Sequence, residues 1–335
     1  MHPKIEGNRR LRQIVAGACW LYLAASLLLW IILQTTGDRW WIATVFLFGP
    51  RWVCLLPLLF LIPAALLIRR RCLWVLLACL WILLFPVMHL CLPWRFKVPD
   101  FHKSPHLRIL TCNLHGQNLN VLAALISSAK PDVVAIQEWN NQSQSTLPGQ
   151  GDYYFIRDGE LYLASRYPIR KVEDFNDGHW SVSTSAVCYE LDTPYGKIPF
   201  INLRLASPHQ QLESVRWRSL SAPAEVQDNS SKRLKQSQII SQYAAGLGPT
   251  VLLAGDFNTP SGSSILRQCW AGFSDAFSFA GCGFGHTYYS RRVSTRIDYI
   301  MAGSSWRCCR CWVGPDVGSA HRPVIGELKL IGADR

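Results

Sequence analysis

The segment Thr250-Val-Leu-Leu-Ala-Gly-Asp-Phe-Asn-Thr-Pro260 decides how the second half of the chain folds. Thr250 to Ala254 reads as a strand buried on both faces, ended by Gly255 and Asp256. A carboxylate at the end of a buried strand is held rigidly at a sheet edge, so Asp256, with Asn258 two residues on, is a candidate for chemistry. Its ordinary alternative is to cap the helix that begins after Pro260.

The same rhythm runs outward in both directions. Leu107 to Asn113 alternates and is rich in β formers; Asn118 to Ala129 has helical spacing at Leu119, Leu122, Ala123 and Ile126. Pro131 then opens the buried run Val133 to Gln137, which ends at Glu138. Further strands are predicted over Tyr153 to Arg157, Glu160 to Ser165, Ser185 to Leu191, Pro199 to Leu205, Arg296 to Met301 and Pro323 to Leu330. The polar stretch Glu213 to Ser231 reads as a flexible loop and Lys232 to Ala245 as a helix. Many strands with few helices imply an α+β domain built as a two-sheet sandwich. There is no internal repeat.

Asn113, Glu138, Asp256 with Asn258, and Asp298 therefore all fall in or at the ends of strands, and His321 follows the turn Gly318-Ser319-Ala320. Carboxylates and amides converging on one edge are oxygen ligands suited to Mg²⁺ or Mn²⁺, and such a cation polarises a phosphoryl oxygen. Taken singly, each residue has a plainer role. The asparagines suit turns and caps, Glu138 a solvated strand end, Asp298 a pair with Arg296 or Arg322, and His321 a surface turn.

The first third is different in kind. Of the 335 residues 49% are apolar and only 17% charged, with fourteen Trp and a mean hydropathy of +0.10; a soluble domain carries about 25% charged residues. The net charge of +12 is unevenly placed: residues 1–99 hold eleven Lys and Arg against two acids, and residues 100–335 twenty-three against twenty. That excludes a strongly basic nucleic-acid-binding face on the larger part. Apolar runs over 14–33, 52–68 and 72–92 predict three membrane spans. Lys4, Arg9, Arg10 and Arg12 precede the first, and Arg69, Arg70 and Arg71 fill the turn between the second and third. Lysine and arginine mark cytoplasmic loops, so the N-terminus is read as inside and everything beyond about Phe96 as outside. The stretch Trp41 to Phe48 is read as lying on the surface or extending the second span. A cleavable signal peptide is disfavoured because no small-residue cleavage site follows Leu33.

Six segments, Leu110-Thr-Cys-Asn113, Val134-Ala-Ile-Gln-Glu138, Leu163-Ala-Ser-Arg-Tyr-Pro-Ile169, Leu253-Ala-Gly-Asp-Phe-Asn-Thr-Pro260, Arg296-Ile-Asp-Tyr-Ile300 and Ser319-Ala-His-Arg-Pro-Val324, occur in an order that resembles the endonuclease/exonuclease/phosphatase superfamily. That group includes deoxyribonuclease I-like nucleases, exonuclease III-like repair enzymes, sphingomyelinases and inositol-phosphate phosphatases. The resemblance covers roughly residues 105–330 and looks like the membrane-anchored bacterial branch. It implies a four-layer αββα sandwich over 107–331, a linker over 97–106 and an all-α transmembrane region of about three helices over 1–96. It also implies a bacterial inner membrane as location. Glu138 would be the main metal ligand, with Asn113 completing the metal and phosphate shell. Asp256 would position or deprotonate the attacking water, Asn258 would hold the phosphate, and Asp298 would orient His321 at the scissile phosphate. The cofactor implied is Mg²⁺ or Mn²⁺. The substrate is a phosphate ester, either lipid-linked or nucleic acid, and no obligate protein partner is implied.

Two departures stand out. Ala320 occupies the place where the family usually has Asp, and Arg204 stands where it often has His. Arginine is always charged and grips phosphate in bidentate fashion, so Arg204 is a candidate for substrate binding and catalysis. His286, beside Thr287 in a Gly-rich stretch, is a candidate for the substrate groove, and His209 a replacement imidazole. Tyr167 is placed in packing, and Trp217 is left open between lipid and substrate. The seven cysteines of the outer part suit disulfides in an oxidising compartment; zinc at Cys308, Cys309 and Cys311 lacks a second ligand pair. The function so implied is a membrane-anchored, metal-dependent phosphoesterase, with a DNA endonuclease or exonuclease and a catalytically degenerate binding module as alternatives.

Overall fold

The computed structural model describes residues 3–93, 106–115, 119–139, 151–175, 185–217, 219–290 and 293–331. The expected linker over 97–106 lies outside them apart from His106. Two six-stranded sheets carry the C-terminal two thirds. The first has the order β13 (Trp306–Val313), β14 (Val324–Leu330), β1 (His106–Asn113), β2 (Val133–Gln137), β4 (Leu161–Ser165), β3 (Tyr154–Asp158). The second runs β5 (Ile169–Phe175), β6 (Ala186–Thr193), β7 (Gly196–Arg204), β8 (Leu252–Asp256), β12 (Asp298–Ala302), β9 (Ser274–Asp275). A short hairpin pairs β10 (Tyr288–Tyr289) with β11 (Ser294–Thr295).

Strand periodicity decides the layers. Side chains alternate across a sheet, so Ile109, Val133 and Leu163 meet Tyr189, Phe200 and Leu252 between the sheets. Their neighbours Leu110, Cys112 and Ile136 face outward to Leu122 and Ile126 of helix α5 (Leu119–Ala129). On the opposite side Ile201 and Leu253 meet Ile240 and Ala244 of helix α7 (Ala222–Gly246). The result is the four-layer αββα sandwich. Each fully buried Leu, Ile or Phe contributes roughly 1.5–3 kcal/mol. Polar side chains stitch the sheets near the site: Gln137 Nε2 donates to Asn202 Oδ1 at 2.7 Å, and Asn202 Nδ2 donates to the carbonyls of Ile136 and Tyr162 at 3.2 and 3.1 Å.

Two long strands went unread in the sequence, β5 and β13, as did the two-residue strands β9, β10 and β11. The Glu213 to Ser231 stretch is not a loop but holds the second half of α6 (His209–Arg216) and the first part of α7. The buried face of α7 sets Asn229, Ser230, Arg233 and Ser237 between Val226 and Ile240, a helical stripe too polar in its middle to announce itself. The outer cysteines form no disulfides: all twelve are free, and Cys112, Cys188, Cys308 and Cys311 are packed as core fillers.

At the N-terminal end, helices over Arg9–Thr36, Arg51–Ile68 and Arg70–Val87 are long and apolar enough to cross a membrane. They bundle along α1 (Pro3–Thr36), α3 (Leu58–Ile68) and α4 (Leu73–Ile82). Trp20, Leu21, Leu59, Phe60, Leu67 and Trp74 are exposed on the outside of this bundle. The third run stops at Val87 rather than Leu92. A π turn containing Pro86 ends it, and Cys91 then pairs with Gly283.

Trp41 to Phe48 forms α2, which buries Ala43, Thr44, Leu47 and Phe48 and packs on α7. It neither floats on a surface nor extends a span. Phe48 lies under the Arg233 guanidinium, 5.5 Å from the ring centroid. Arg51 donates to the carbonyls of Val87 at 2.8 Å and Ser261 at 3.0 Å. One end of the helix bundle is thereby built into the sandwich.

Candidate active site

Five strands deliver the site because their last or first residues fall at one edge. In the parallel pair β1 and β2, Asn113 lies opposite Gln137, so Glu138 follows one step beyond. In β7, β8 and β12, Arg204 pairs with Asp256, and Asp256 with Asp298. Gly255 is required for this: its φ is +152°, and a Cβ there would sit 1.9 Å from the Leu203 carbonyl oxygen. Glu138 and Asn258 are both in the left-handed region, with φ of 55° and 46°. Asparagine tolerates that conformation, whereas Glu138 stores backbone strain of about 1 kcal/mol.

Asn113 joins the two sheets at this edge. Its Nδ2 donates to Glu138 Oε1 at 2.8 Å and to Asp256 Oδ2 at 3.0 Å. Asn258 braces Asp256 twice, from its backbone N at 2.8 Å and its Nδ2 at 3.0 Å, and that Nδ2 also donates to the Leu205 carbonyl. Asp298 faces His321, with Nδ1 2.9 Å from Oδ2. Thr287 Oγ1 accepts from the backbone N of Asp298 at 3.1 Å. Ser319 Oγ accepts from His321 N and donates to the Asn113 carbonyl. One buried cluster therefore contains Asn113, Glu138, Asp256, Asn258, Asp298 and His321. Asp298 pairs neither Arg296 nor Arg322: Arg296 is bound to Asp275 at 2.9 Å.

The electrostatics follow from burial and like charge. Burial, with Asp298 alongside, pushes Asp256 up to about 6. Burial alone would push His321 down, but the charge and hydrogen bond of Asp298, with Asp256 and Glu138 beyond, raise it to about 9. These carboxylates favour the imidazolium form, and Asp298 occupies its Nδ1 side. Burial would also raise Glu138, yet Arg204, Asn113 and His115 together hold it below the ordinary glutamate value.

Arg204 is in the site, with both terminal nitrogens engaged: Nη2 lies 2.7 Å from Glu138 Oε1 and Nη1 2.8 Å from Glu160 Oε2. His286 is outside the cluster. Its Nδ1 meets Ser294 Oγ at 2.8 Å, while Tyr288 lies between, its ring edge-on to His321 at 5.1 Å. His209 begins α6, and among the described residues no hydrogen bond joins it to the cluster. Tyr167 packs against the central core, and Trp217 is exposed beneath Arg216. Three residues escaped the sequence reading. His115 sits 2.9 Å from Glu138 Oε2, Glu160 anchors Arg204, and Tyr288 shields His321. Only the sequence proximity of His115 to Asn113 and of Glu160 to its strand hinted at them.

Among the described residues, Asp256, Asp298 and His321 present ligand atoms within 4.8 Å of one another. With His321 protonated and paired to Asp298, the oxygen donors are Glu138, Asn113 and Asp256. Buried carboxylates whose charge is incompletely offset make a hard-cation site.

Residues 110–321 match the Endonuclease/Exonuclease/phosphatase family. No curated protein matches the chain in sequence. Solved structures are similar in fold. An endonuclease/exonuclease/phosphatase from Beutenbergia cavernae is 18% identical with a TM-score of 0.50, covering 68% of this chain and 72% of its own. A humanized D. rerio TDP2 carrying 14 mutations is 17% identical with a TM-score of 0.52, covering 67% and 99%. The AP endonuclease LMAP from Leishmania major is 17% identical with a TM-score of 0.51, covering 71% and 93%.

Proposed function

Because the chain belongs to the endonuclease/exonuclease/phosphatase family, we propose that it is a membrane-anchored, divalent-metal-dependent phosphoesterase. It hydrolyses a phosphodiester or phosphomonoester by in-line attack of water. The observation that carries this reading is the single buried cluster in which Asn113 bridges Glu138 and Asp256 beside the Asp298 and His321 pair.

Glu138, with Asn113, would hold Mg²⁺ or Mn²⁺, which when bound polarises a phosphoryl oxygen. Asp256 takes the proton of the attacking water. Its raised pKa makes it a stronger base than an ordinary carboxylate, and Asn258 fixes its two oxygens. His321 presents Nε2 to the phosphoryl oxygens, because Asp298 holds Nδ1, and it neutralises charge that develops there. Arg204 keeps Glu138 ionised and in place, and its always-charged guanidinium adds to the positive field at the phosphate. Asn258 would reach the phosphate only by turning its Nδ2 away from the Leu205 carbonyl or Asp256, both of which it now holds.

The helix-bundle end that carries Arg9, Arg10, Arg12 and Arg69 to Arg71 is read as cytoplasmic in a bacterial inner membrane, and the sandwich, at the other end, as extracytoplasmic. Such a tether restricts substrates to those near the bilayer, favouring phospholipid head groups and lipid-linked phosphates. Duplex binding is dominated by Lys and Arg neutralising phosphates, and the near balance of charge over residues 100–335 argues against nucleic acid. The test is hydrolysis by the full chain in detergent of bis-p-nitrophenyl phosphate, phospholipid and plasmid DNA, with Mg²⁺ and with EDTA. Metal-dependent ester or lipid cleavage lost in Glu138→Ala is the expected result. Plasmid nicking alone selects a nuclease, and no turnover of any of the three substrates with Mg²⁺ or with Mn²⁺ in its place selects a non-catalytic module.

A further inference from the structure

One cleft of the molecule has no part in this chemistry. It measures ≈ 390 Å³ and lies between β13 and the 282–289 segment, with Arg310, Trp312, His286, Tyr289 and Arg322 in its walls and no carboxylate among its lining residues. Successive strand residues face opposite ways. Tyr288 turns to His321, and Tyr289 turns into the cleft, so β10 separates the two sites.

Each arginine lies over an aromatic ring. The Arg322 guanidinium lies 4.2 Å from the Tyr289 centroid and that of Arg310 5.1 Å from Trp312. A stacked guanidinium keeps its N–H edge free and pre-aimed for a planar oxyanion. Among the described residues Arg322 has no ion-pair partner. Arg310 has only Glu327 at 3.8 Å, and Glu327 is already bound to Arg108 at 2.8 Å. Two cations are thus held ready and incompletely neutralised.

Position identifies the anion. The wall at 282–286 is pinned to the chain where it leaves the third apolar helix: Cys91 and Gly283 exchange both backbone hydrogen bonds at 2.9 Å, four residues after Val87. Phe284 packs into the cluster of Leu33, Leu47, Val87 and Met88 at that end of the bundle and stacks on His286. The headgroup layer of a bilayer extends about 5–7 Å beyond its hydrocarbon core, and the cleft begins beside it. Arginine and aromatic residues together are also the usual furniture of that layer. We propose that the cleft holds the phosphate of an anionic lipid head group, with Arg310 and Arg322 as its ligands. A lipid so held fixes the sandwich against the bilayer surface. The proposal rests on the anchored reading and not on catalysis.

The full chain is reconstituted in nanodiscs of phosphatidylcholine with one-third phosphatidylglycerol, and the lipid retained per chain is counted by native mass spectrometry. Phosphatidylglycerol is retained in preference to phosphatidylcholine, and Arg310→Gln with Arg322→Gln lowers that retention about tenfold. The Lys pair keeps an intermediate level. Flotation with liposomes and the circular dichroism spectrum stay unchanged, since the spans do the anchoring. Equal retention of both lipids by the unaltered chain overturns the proposal without recourse to any variant. So does inorganic phosphate that displaces the lipid at equal concentration, which marks a soluble-anion site, or an oligonucleotide whose binding needs the two arginines. Failure to float removes the anchor and the proposal together, whereas failure of ester hydrolysis leaves it standing.

Discussion

Asp38, between the first and second apolar helices, accepts hydrogen bonds at one carboxylate oxygen from Ser264 N at 2.7 Å and Ser264 Oγ at 2.8 Å. Ser263 Oγ reaches the same oxygen at 2.6 Å. The residues so gripped open helix α8 (Ser264–Cys269), and they follow Asn258 by only a few positions. Beside them, Arg51 binds the Ser261 carbonyl, and the His89 ring fills the space where a Gly262 side chain would stand. The helix bundle is therefore part of the frame that holds the 256–264 turn, and not a tether alone.

Asp38→Ala leaves several buried donors without an acceptor. The unfolding midpoint of the full chain in detergent should fall by the equivalent of roughly 3 kcal/mol, the size expected for a buried charged acceptor with several donors. An unaltered midpoint would mean that the bundle and the sandwich are energetically independent.

The pH dependence follows from two raised pKa values of opposite effect. Asp256 must be ionised to accept a proton; without metal its carboxyl is pushed up to about 6, and a bound cation lowers it, so the acid limb of the metal-loaded enzyme should lie below 6. His321 must be charged, so activity falls as pH passes about 9. Stability has the same alkaline sign. A folded-state histidine pKa above its unfolded value stabilises fully below about 6.5 and ceases to do so as pH climbs through the folded value. A rate profile measured from pH 5 to 10 checks both limbs, and a flat alkaline side would remove His321 from the mechanism.

What could be read from the sequence was whatever buried apolar strands announce. Asn113, Glu138 and Asp256 stand at the ends of such strands and Asp298 inside one, so their candidacy and the two-sheet sandwich came from one pattern, while the four-layer αββα form came from the family resemblance. β5 was invisible because it is a largely exposed edge strand, reading Ile-Arg-Lys-Val-Glu-Asp-Phe with no apolar alternation. β13 was hidden by a bulge between Cys308 and Arg310. The start of α7 escaped because Val226 is the one large apolar residue on its buried face before Ile240, the positions between being Asn229, Ser230, Arg233 and Ser237. Asp38 and Arg51 were counted as charges bordering membrane spans, and nothing local could show that they turn into the sandwich. Long-range pairs of this sort, separated by more than 200 residues, leave no periodic trace.

Arg204 competes with any cation for Glu138, since its Nη2 already lies 2.7 Å from Oε1. Removing that positive charge strengthens divalent binding: Arg204→Gln should tighten Mn²⁺ affinity about tenfold, roughly 1.4 kcal/mol of relieved charge repulsion. Turnover should fall nonetheless, because the field at the phosphate is weakened. Mn²⁺ titration followed by electron paramagnetic resonance checks the first part without any turnover. Weaker Mn²⁺ binding would show that Arg204 chiefly positions Glu138.

Asp298 is the residue whose loss separates charge from shape. Asn is isosteric and can still meet His321 Nδ1 with its amide oxygen, so ring orientation survives while the carboxylate charge does not. Burial then dominates and drives the His321 pKa downward, since desolvation opposes the charged imidazole and only Asp256 and Glu138 remain to support it. In Asp298→Asn the alkaline limb should move from about 9 to well below it, and kcat at pH 8 should drop by about two orders of magnitude, the usual scale for a misprotonated acid–base group. KM should change little, because the substrate's remaining contacts are intact. The titration is read independently of turnover from the His321 ring resonances by NMR. An alkaline limb that stays in place after this substitution would mean that the charge on His321 is set by Asp256 and Glu138 instead, and the orienting role of Asp298 would be purely geometric.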